Sequence, residues 1–240
     1  MPSIIRIYMN LVFLYYDNPK MLETQIHHWN AYKKTLGHVP RIILVDDGSP
    51  KTFAAHVVQR SKPEIPIEVY RIKEDIPWNF TGARNLGCFQ ADEWIYMSDI
   101  DTLLFPEDAK KLFEGRPLHK QQYYIPKRVW LPDLKVASVG NVNLLFHKDK
   151  YLEVGGYDED YAGFYGRGDT DFHHRLKKIL QRVYRDDVMI RVVPPSLIAD
   201  ARTRGMKRDK TNNIALYESK KAAGFINPVN PLRFSWKRVL

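Results

Sequence analysis

One cysteine, Cys88, stands alone among 240 residues. It rules out an intrachain disulfide and any cysteine-rich zinc site, and it makes cytoplasmic residence the default expectation. Long apolar runs are missing too. Nothing approaches the roughly 18 residues of a membrane-spanning helix. Residues 1–10 hold Arg6 but no apolar segment followed by a small-residue cleavage site, so no secretory leader is expected. There is no internal repeat and no low-complexity tract. Neither G-x-G-x-x-G nor a P-loop occurs, which argues against a dinucleotide dehydrogenase and a P-loop NTPase. Negative charge is the scarcer sign: 28 Asp and Glu face 37 Lys and Arg, a formal charge of +9. That excess points to anionic partners, with peripheral membrane contact through the basic surface among them. The basic residues are scattered and carry no nucleic-acid motif, so nucleic acid is not an expected partner.

What is present suits one α/β domain. Apolar residues make up 44% of the chain, enough for a sizeable core. Residues 11–15 read as a first buried strand, and Pro19 opens a helix whose apolar positions recur to Lys34. Residues 41–45 form a continuous apolar strand, 52–60 a short helix and 67–72 a third strand. Thr81 caps a helix to Ala91, and 94–100 is the fourth strand. This β-α-β-α-β-α-β order predicts a mostly parallel, Rossmann-like sheet with helices on both faces. Farther on, 106–114 is helical, 122–126 and 141–147 are strands, and 128–139 is a polar-aromatic loop. Asp169 opens a helix to Gln181, 183–193 is extended, 212–223 is helical, and the tail is anchored by Phe234 and Trp236. The expected division is a nucleotide-binding half to about 102, a catalytic half to 195, and a basic loop with a tail to 240.

In a parallel sheet ligands bind beyond the carboxyl ends of the strands. Three polar clusters fall there: Tyr15-Tyr16-Asp17, Asp46-Asp47-Gly48-Ser49 and Asp99-Ile100-Asp101. Two carboxylates two residues apart at the end of a buried strand are costly when charged. A hard divalent cation removes that cost, so Asp99 and Asp101 are candidate ligands for Mg²⁺ or Mn²⁺ on a diphosphate. The alternative is a strand end whose aspartates cap the next turn.

The motifs in their order resemble the GT-A nucleotide-sugar glycosyltransferases, family-2-type enzymes with a galactosyltransferase-like C-terminal segment. The pieces are Tyr16-Asp17-Asn18-Pro19, Val45-Asp46-Asp47-Gly48-Ser49, Gly82-Ala83-Arg84-Asn85-Leu86-Gly87, Ser98-Asp99-Ile100-Asp101, and Val154-Gly155-Gly156-Tyr157-Asp158-Glu159 leading to Gly168-Asp169-Thr170-Asp171-Phe172. They cover residues 11–182. The resemblance implies a GT-A fold and transfer of a sugar from a nucleotide-sugar donor, UDP-linked by preference, to a glycan, lipid or protein-linked hydroxyl. Asp46 or Asp47 would hydrogen-bond the nucleoside, with Tyr15 and Gly82 in the donor site. Arg84 would support the nucleotide or the metal-binding aspartates. Asp99 and Asp101 would meet the ribose and the metal-bound diphosphate. Asp169 matches the general base of inverting members. The chain departs from the pattern twice. Gly168 stands where the family has glutamate, and the late histidine ligand has no counterpart, which leaves Asp200 as its expected substitute.

Bland alternatives accompany several of these residues. Asp169 at a helix start is also an ordinary cap, and Asp171 competes with it as base. His173 and His174 diverge on a helix, as do His27 and His28, so they read as packing residues. Trp78, Trp130 and Tyr165 stack on a sugar or belong to the core. Arg202, Arg204, Lys207 and Arg208 form a lid over the diphosphate or a solvated loop. The competing functions are a retaining transferase of the same fold, a sugar-nucleotide pyrophosphorylase, and a non-catalytic sugar- or nucleic-acid-binding domain.

Overall fold

The computed structural model describes residues 9–37, 39–137, 142–202 and 206–240. Met9–Tyr15 (β1) lies near the middle of the sheet. Its side chains alternate, with Leu11, Phe13 and Tyr15 packing into one core and Val12 into the other. Pro19 is the first residue of Pro19–Asn30 (α1). The helix breaks at Ala31 and resumes as Tyr32–Leu36 (α2), where Gly37 closes it at φ +68. Arg41–Asp46 (β2), Ala54–Ser61 (α3), Ile67–Ile72 (β3), Phe80–Gln90 (α4) and Trp94–Asp99 (β4) complete the expected alternation. Thr102–Leu104 (β5), Pro106–Glu114 (α5), Gln122–Trp130 (β6), Leu144–His147 (β7) and Lys148–Glu153 (α6) follow. After a 3₁₀ turn at Glu159–Tyr161 come Gly168–Ile179 (α7), Gln181–Val192 (β8), Thr211–Ala222 (α8) and Trp236–Arg238 (β9).

The strands form one sheet in the order β5-β8-β6-β7-β4-β1-β2-β3-β9. β3, β2, β1 and β4 run parallel, and β7 and β9 join them antiparallel. Two cores result. One buries Leu44, Tyr96 and Trp29 and the other buries Ile43, Met97 and Leu86, so β2 and β4 are apolar on both faces. β1 has β2 on one side and β4 on the other, so the chain leaves it in opposite directions. That reversal opens a crevice at the carboxyl ends. Register pairs Tyr15 with Asp46 and Leu14 with Asp99, which brings those aspartates to one rim.

Some expectations moved. Residues 128–130, expected in a loop, extend β6 and pair with β8 beyond an irregularity at Pro126/Lys127. The half-buried Lys127 and Arg128 hide this strand from a pattern search. Thr81 lies inside the first turn of α4 rather than capping it. Asn141, the expected start of a strand, falls outside the described residues. β9 has only three residues, all exposed, and carries no local signal; the free edge of β3 recruits it. No helix among the described residues is long and apolar enough to cross a membrane.

Candidate active site

β4 ends at Asp99, and the chain turns through Ile100 and Asp101 into β5. The turn is tied from several sides. Gln25 on α1 donates Nε2 to the carbonyls of Ile100 at 2.8 Å and Thr102 at 2.7 Å. The Ser98 and Thr102 hydroxyls meet at 2.7 Å, and Asn143 Nδ2 donates to them at 2.7 and 2.9 Å. A buried polar network of this kind selects one conformation. It presents Asp99 and Asp101 to a cleft of about 630 Å³. Burial and the charge of Asp99 push the Asp101 carboxyl up to about 7, against the pull of Arg128 and Arg202. Arg202 Nε stands 4.0 Å from Asp101 Oδ2, with its guanidinium 5.0 Å over Trp130.

Arg84 is buried in α4 between the two halves of the chain. Its Nη2 donates to Asp99 Oδ1 at 2.8 Å, and its Nη1 donates to Asp169 Oδ1. The guanidinium lies 5.0 Å from the rings of both Phe80 and Tyr157. The Tyr157 hydroxyl donates to the same Asp169 oxygen at 3.1 Å. Burial raises the pKa of Asp169 and the Asp99 charge adds to the rise, while Arg84 and Tyr157 oppose it. Among the described residues, the hydrogen bonds to Asp169 both go to Oδ1, and Oδ2 takes none. Asp169 therefore has one anchored oxygen and one available oxygen.

The second half is fastened to α4 by Asn85. Its Nδ2 donates to the Tyr157 carbonyl at 2.9 Å and to Glu159 Oε1 at 2.7 Å, and its Oδ1 accepts the Tyr157 N–H at 2.8 Å. Glu159 in turn accepts the N–H groups of Leu232 at 2.7 Å and Arg233 at 2.9 Å. Sequence reasoning did not assign Asn85, Tyr157 or Glu159 a role. Only the structure gives the reason: α4 is buried at every residue from Thr81 to Cys88, so a central Arg-Asn pair has to find polar partners.

At the nucleoside end the two expected aspartates differ in their surroundings, beginning with Asp46. Both its carboxylate oxygens accept backbone N–H groups, from Ser49 at 2.9 Å and Ala54 at 2.8 Å. It shapes the turn and the start of α3, while its neighbour Asp47 lines the cleft. Burial, with Asp46 and Asp75 nearby, pushes Asp47 up to about 7, although Asn79 Nδ2 donates to it at 3.0 Å. Tyr15 lines the cleft as well, its hydroxyl tied to the Thr52 carbonyl at 2.7 Å. Gly82 does not line it. A Cβ there would collide with Phe234 and Asn79, so its part is packing of the C-terminal tail.

Asp200 is likewise committed elsewhere. Its Oδ2 accepts from Lys20 N at 2.8 Å and its Oδ1 from Met21 N at 3.0 Å, which caps the first turn of α1. Among the described residues no group of three or more His, Cys, Asp or Glu could hold a metal. Asp171 is no rival base, because it is buried and pairs with Arg175 Nη2 at 2.7 Å. His174 bonds the Tyr217 hydroxyl at 2.9 Å, and His173 packs edge-on to Tyr123. Trp78 and Tyr165 meet at 4.6 Å on the cleft wall. Arg202 and Arg208 line the cleft, so part of the basic stretch faces the site. Lys207 pairs with Asp209 at 3.1 Å, and Arg204 lies outside the described residues.

The arrangement of strands is shared with solved structures of low sequence identity. Residues 1–349 of TarS from S. aureus, in complex with UDP-GlcNAc, match 83% of this chain with a TM-score of 0.63 and 12% identity. The fold is GT-A. Mannosyltransferase PcManGT from Pyrobaculum calidifontis, in complex with GDP-Man and Mn²⁺, gives 0.59 at 13% identity over 85% of this chain. The catalytic domain of Drosophila β1,4-galactosyltransferase 7, in complex with xylobiose, gives 0.52 at 18% over 75%. This GT-A chain spans 60%, 59% and 65% of those three chains respectively. No family model and no curated protein matches the sequence.

Proposed function

We propose that the chain is a metal-dependent glycosyltransferase that moves a sugar from a nucleoside-diphosphate sugar to a hydroxyl acceptor with inversion, Asp169 acting as general base. The observation that carries the reading is Arg84, one buried guanidinium holding Asp99 of β4 and Asp169 of α7.

Asp99 and Asp101 would hold the divalent ion, Mn²⁺ or Mg²⁺. The donor set fits it: such ions are commonly bound by one or two carboxylates plus substrate phosphates. The rise of Asp101 to about 7 is a cost that a cation relieves. When bound, the ion neutralises charge on the leaving diphosphate. The rest belongs to the chain. Asp47 and Tyr15 flank the nucleoside, with a uridine donor the first to try. Arg202 adds positive charge beside Asp101. Arg84 and Tyr157 fix Asp169 by one oxygen and leave the other to take the proton of the acceptor hydroxyl as the hydroxyl oxygen bonds the anomeric carbon and the nucleoside diphosphate leaves. Burial raises the pKa of this carboxylate and so makes it a stronger base than an exposed one, and Arg84 opposes that rise.

The test is hydrolysis and transfer with a panel of nucleotide sugars, with and without Mn²⁺, followed by NMR of the product anomer. Metal-dependent turnover with inverted configuration is expected. A retained configuration removes the role of Asp169, and no turnover or metal-dependent thermal shift with any donor removes the enzyme.

A further inference from the structure

We infer that the acceptor carries an anionic group, a phosphate or a carboxylate, and that Arg167, with Lys210 and Arg208, recognises it. The inference rests on the glycosyltransferase reading, because these three cations line the same cleft as Asp169.

Arg167 is the only side chain between Tyr165 and Asp169, since glycines stand on both sides of it. Its backbone is left-handed, φ +69, a conformation that disfavours any residue with a Cβ. Gly168 after it has no room for a side chain: a Cβ would sit 2.8 Å from Thr81 Cγ2 and 2.9 Å from Phe80 Cζ. A large cation is thus held in an unfavourable backbone two residues before the base. Among the described residues its side chain has no carboxylate and no hydrogen-bond partner. Its Nε is buried without one, and its guanidinium lies 5.1 Å over the Tyr217 ring.

Two more cations reach the same segment. Lys210 Cγ lies 3.4 Å from where a Gly166 Cβ would stand, and its Nζ is 5.6 Å over Tyr165. Arg208 is 5.5 Å over the same ring. Neither has an ion pair among the described residues. The other arginines named in the site are taken: Arg84 holds Asp99 and Asp169, and Arg202 stands beside Asp101. A donor diphosphate on its ion belongs at Asp99 and Asp101. The wall beside Asp169 therefore keeps unneutralised positive charge where the acceptor must sit. A planar guanidinium suits the paired oxygens of a phosphate or carboxylate.

The test titrates the full chain, saturated with UDP and Mn²⁺, with mannose 6-phosphate, glucuronate and glucose, read by NMR or calorimetry. At least one anionic sugar is expected to bind about tenfold tighter than glucose. Which one does so separates phosphate from carboxylate. That preference is expected to vanish in Arg167→Gln and in the double variant Arg208→Gln/Lys210→Gln, with UDP affinity changed by no more than about twofold. The double variant alters exposed positions and serves if Arg167→Gln fails to fold. Equal affinity for the three sugars overturns the inference, and so does a preference that survives in the variants. Loss of UDP affinity with the preference intact assigns the cations to the donor and also overturns it. Failure of UDP to bind the unaltered chain is a different result and removes the glycosyltransferase reading itself.

Discussion

Asp47 carries its carboxyl where charge is costly. An ordinary Asp titrates near 4, whereas burial brings this one to about 7. Between those values the folded chain holds a proton that the unfolded chain lacks, so stability falls as pH rises through that window. Asp47→Asn keeps the shape and removes the titration. Its stability relative to the unaltered chain is expected to improve by ~2–4 kcal/mol between pH 4 and pH 8, in urea melts at both pH values. A pH-independent difference would show that Asp47 stays solvated. At the other aspartates the proposed roles differ. Asp101→Ala is expected to abolish Mn²⁺-dependent UDP binding by calorimetry. Asp169→Asn should leave that binding intact and lower the transfer rate by about 10²–10⁴. Unchanged transfer would remove Asp169 as the base.

At the scale of elements, the start of α1 and the contact of α7 with α4 carry the predictions. Pro19 opens α1, and no side chain next to it caps the helix. Asp200 does so from 180 residues along the chain, through Lys20 N and Met21 N. Asp200→Ala is expected to cost about 1 kcal/mol in a urea melt, the usual value of a lost cap. It should leave Mn²⁺-dependent UDP binding unchanged; a lost metal requirement would restore Asp200 as a ligand. Gly168 is where α7 lies against Thr81 and Phe80 at the start of α4. Installing the glutamate that the resembling family carries, Gly168→Glu, forces the two helices apart. A destabilisation of about 1–3 kcal/mol is expected, with weaker transfer because Asp169 moves with α7. Full stability in that variant would refute the packing argument.

At the scale of the whole molecule, Glu159 links three distant pieces. Its carboxylate accepts from Asn85 on α4 and from Leu232 and Arg233 in the tail that leads to β9. β9 then closes the edge of β3 through Lys73 N to Ser235 O at 2.9 Å and Val239 N to Val69 O at 2.8 Å. Glu159→Gln replaces one accepting oxygen with a donor that opposes the Arg233 N–H. The tail is expected to open before the rest, with amide exchange at Lys73 and Val239 about tenfold faster and a smaller change in the core strands. Uniform exchange across the sheet would mean that the tail is not a separate unit.

Local pattern by itself determined the alternation of strands and helices through Asp99, because an apolar run of four to six residues between turn signals has few alternatives. It also set the carboxyl ends where Asp47, Asp99 and Asp101 gather, since parallel connections all return to the same rim. Beyond that the outcome belonged to tertiary structure. Asp46 and Asp47 are neighbours of one residue type, and only the fold decides that backbone N–H groups occupy the first and leave the second at the cleft. Nor does sequence show that the N–H groups of α1 reach Asp200, or that Arg175 reaches Asp171. The reason is common to all three. A carboxylate's role is set by which donors reach its oxygens, and those donors come from chain segments that sequence distance does not relate.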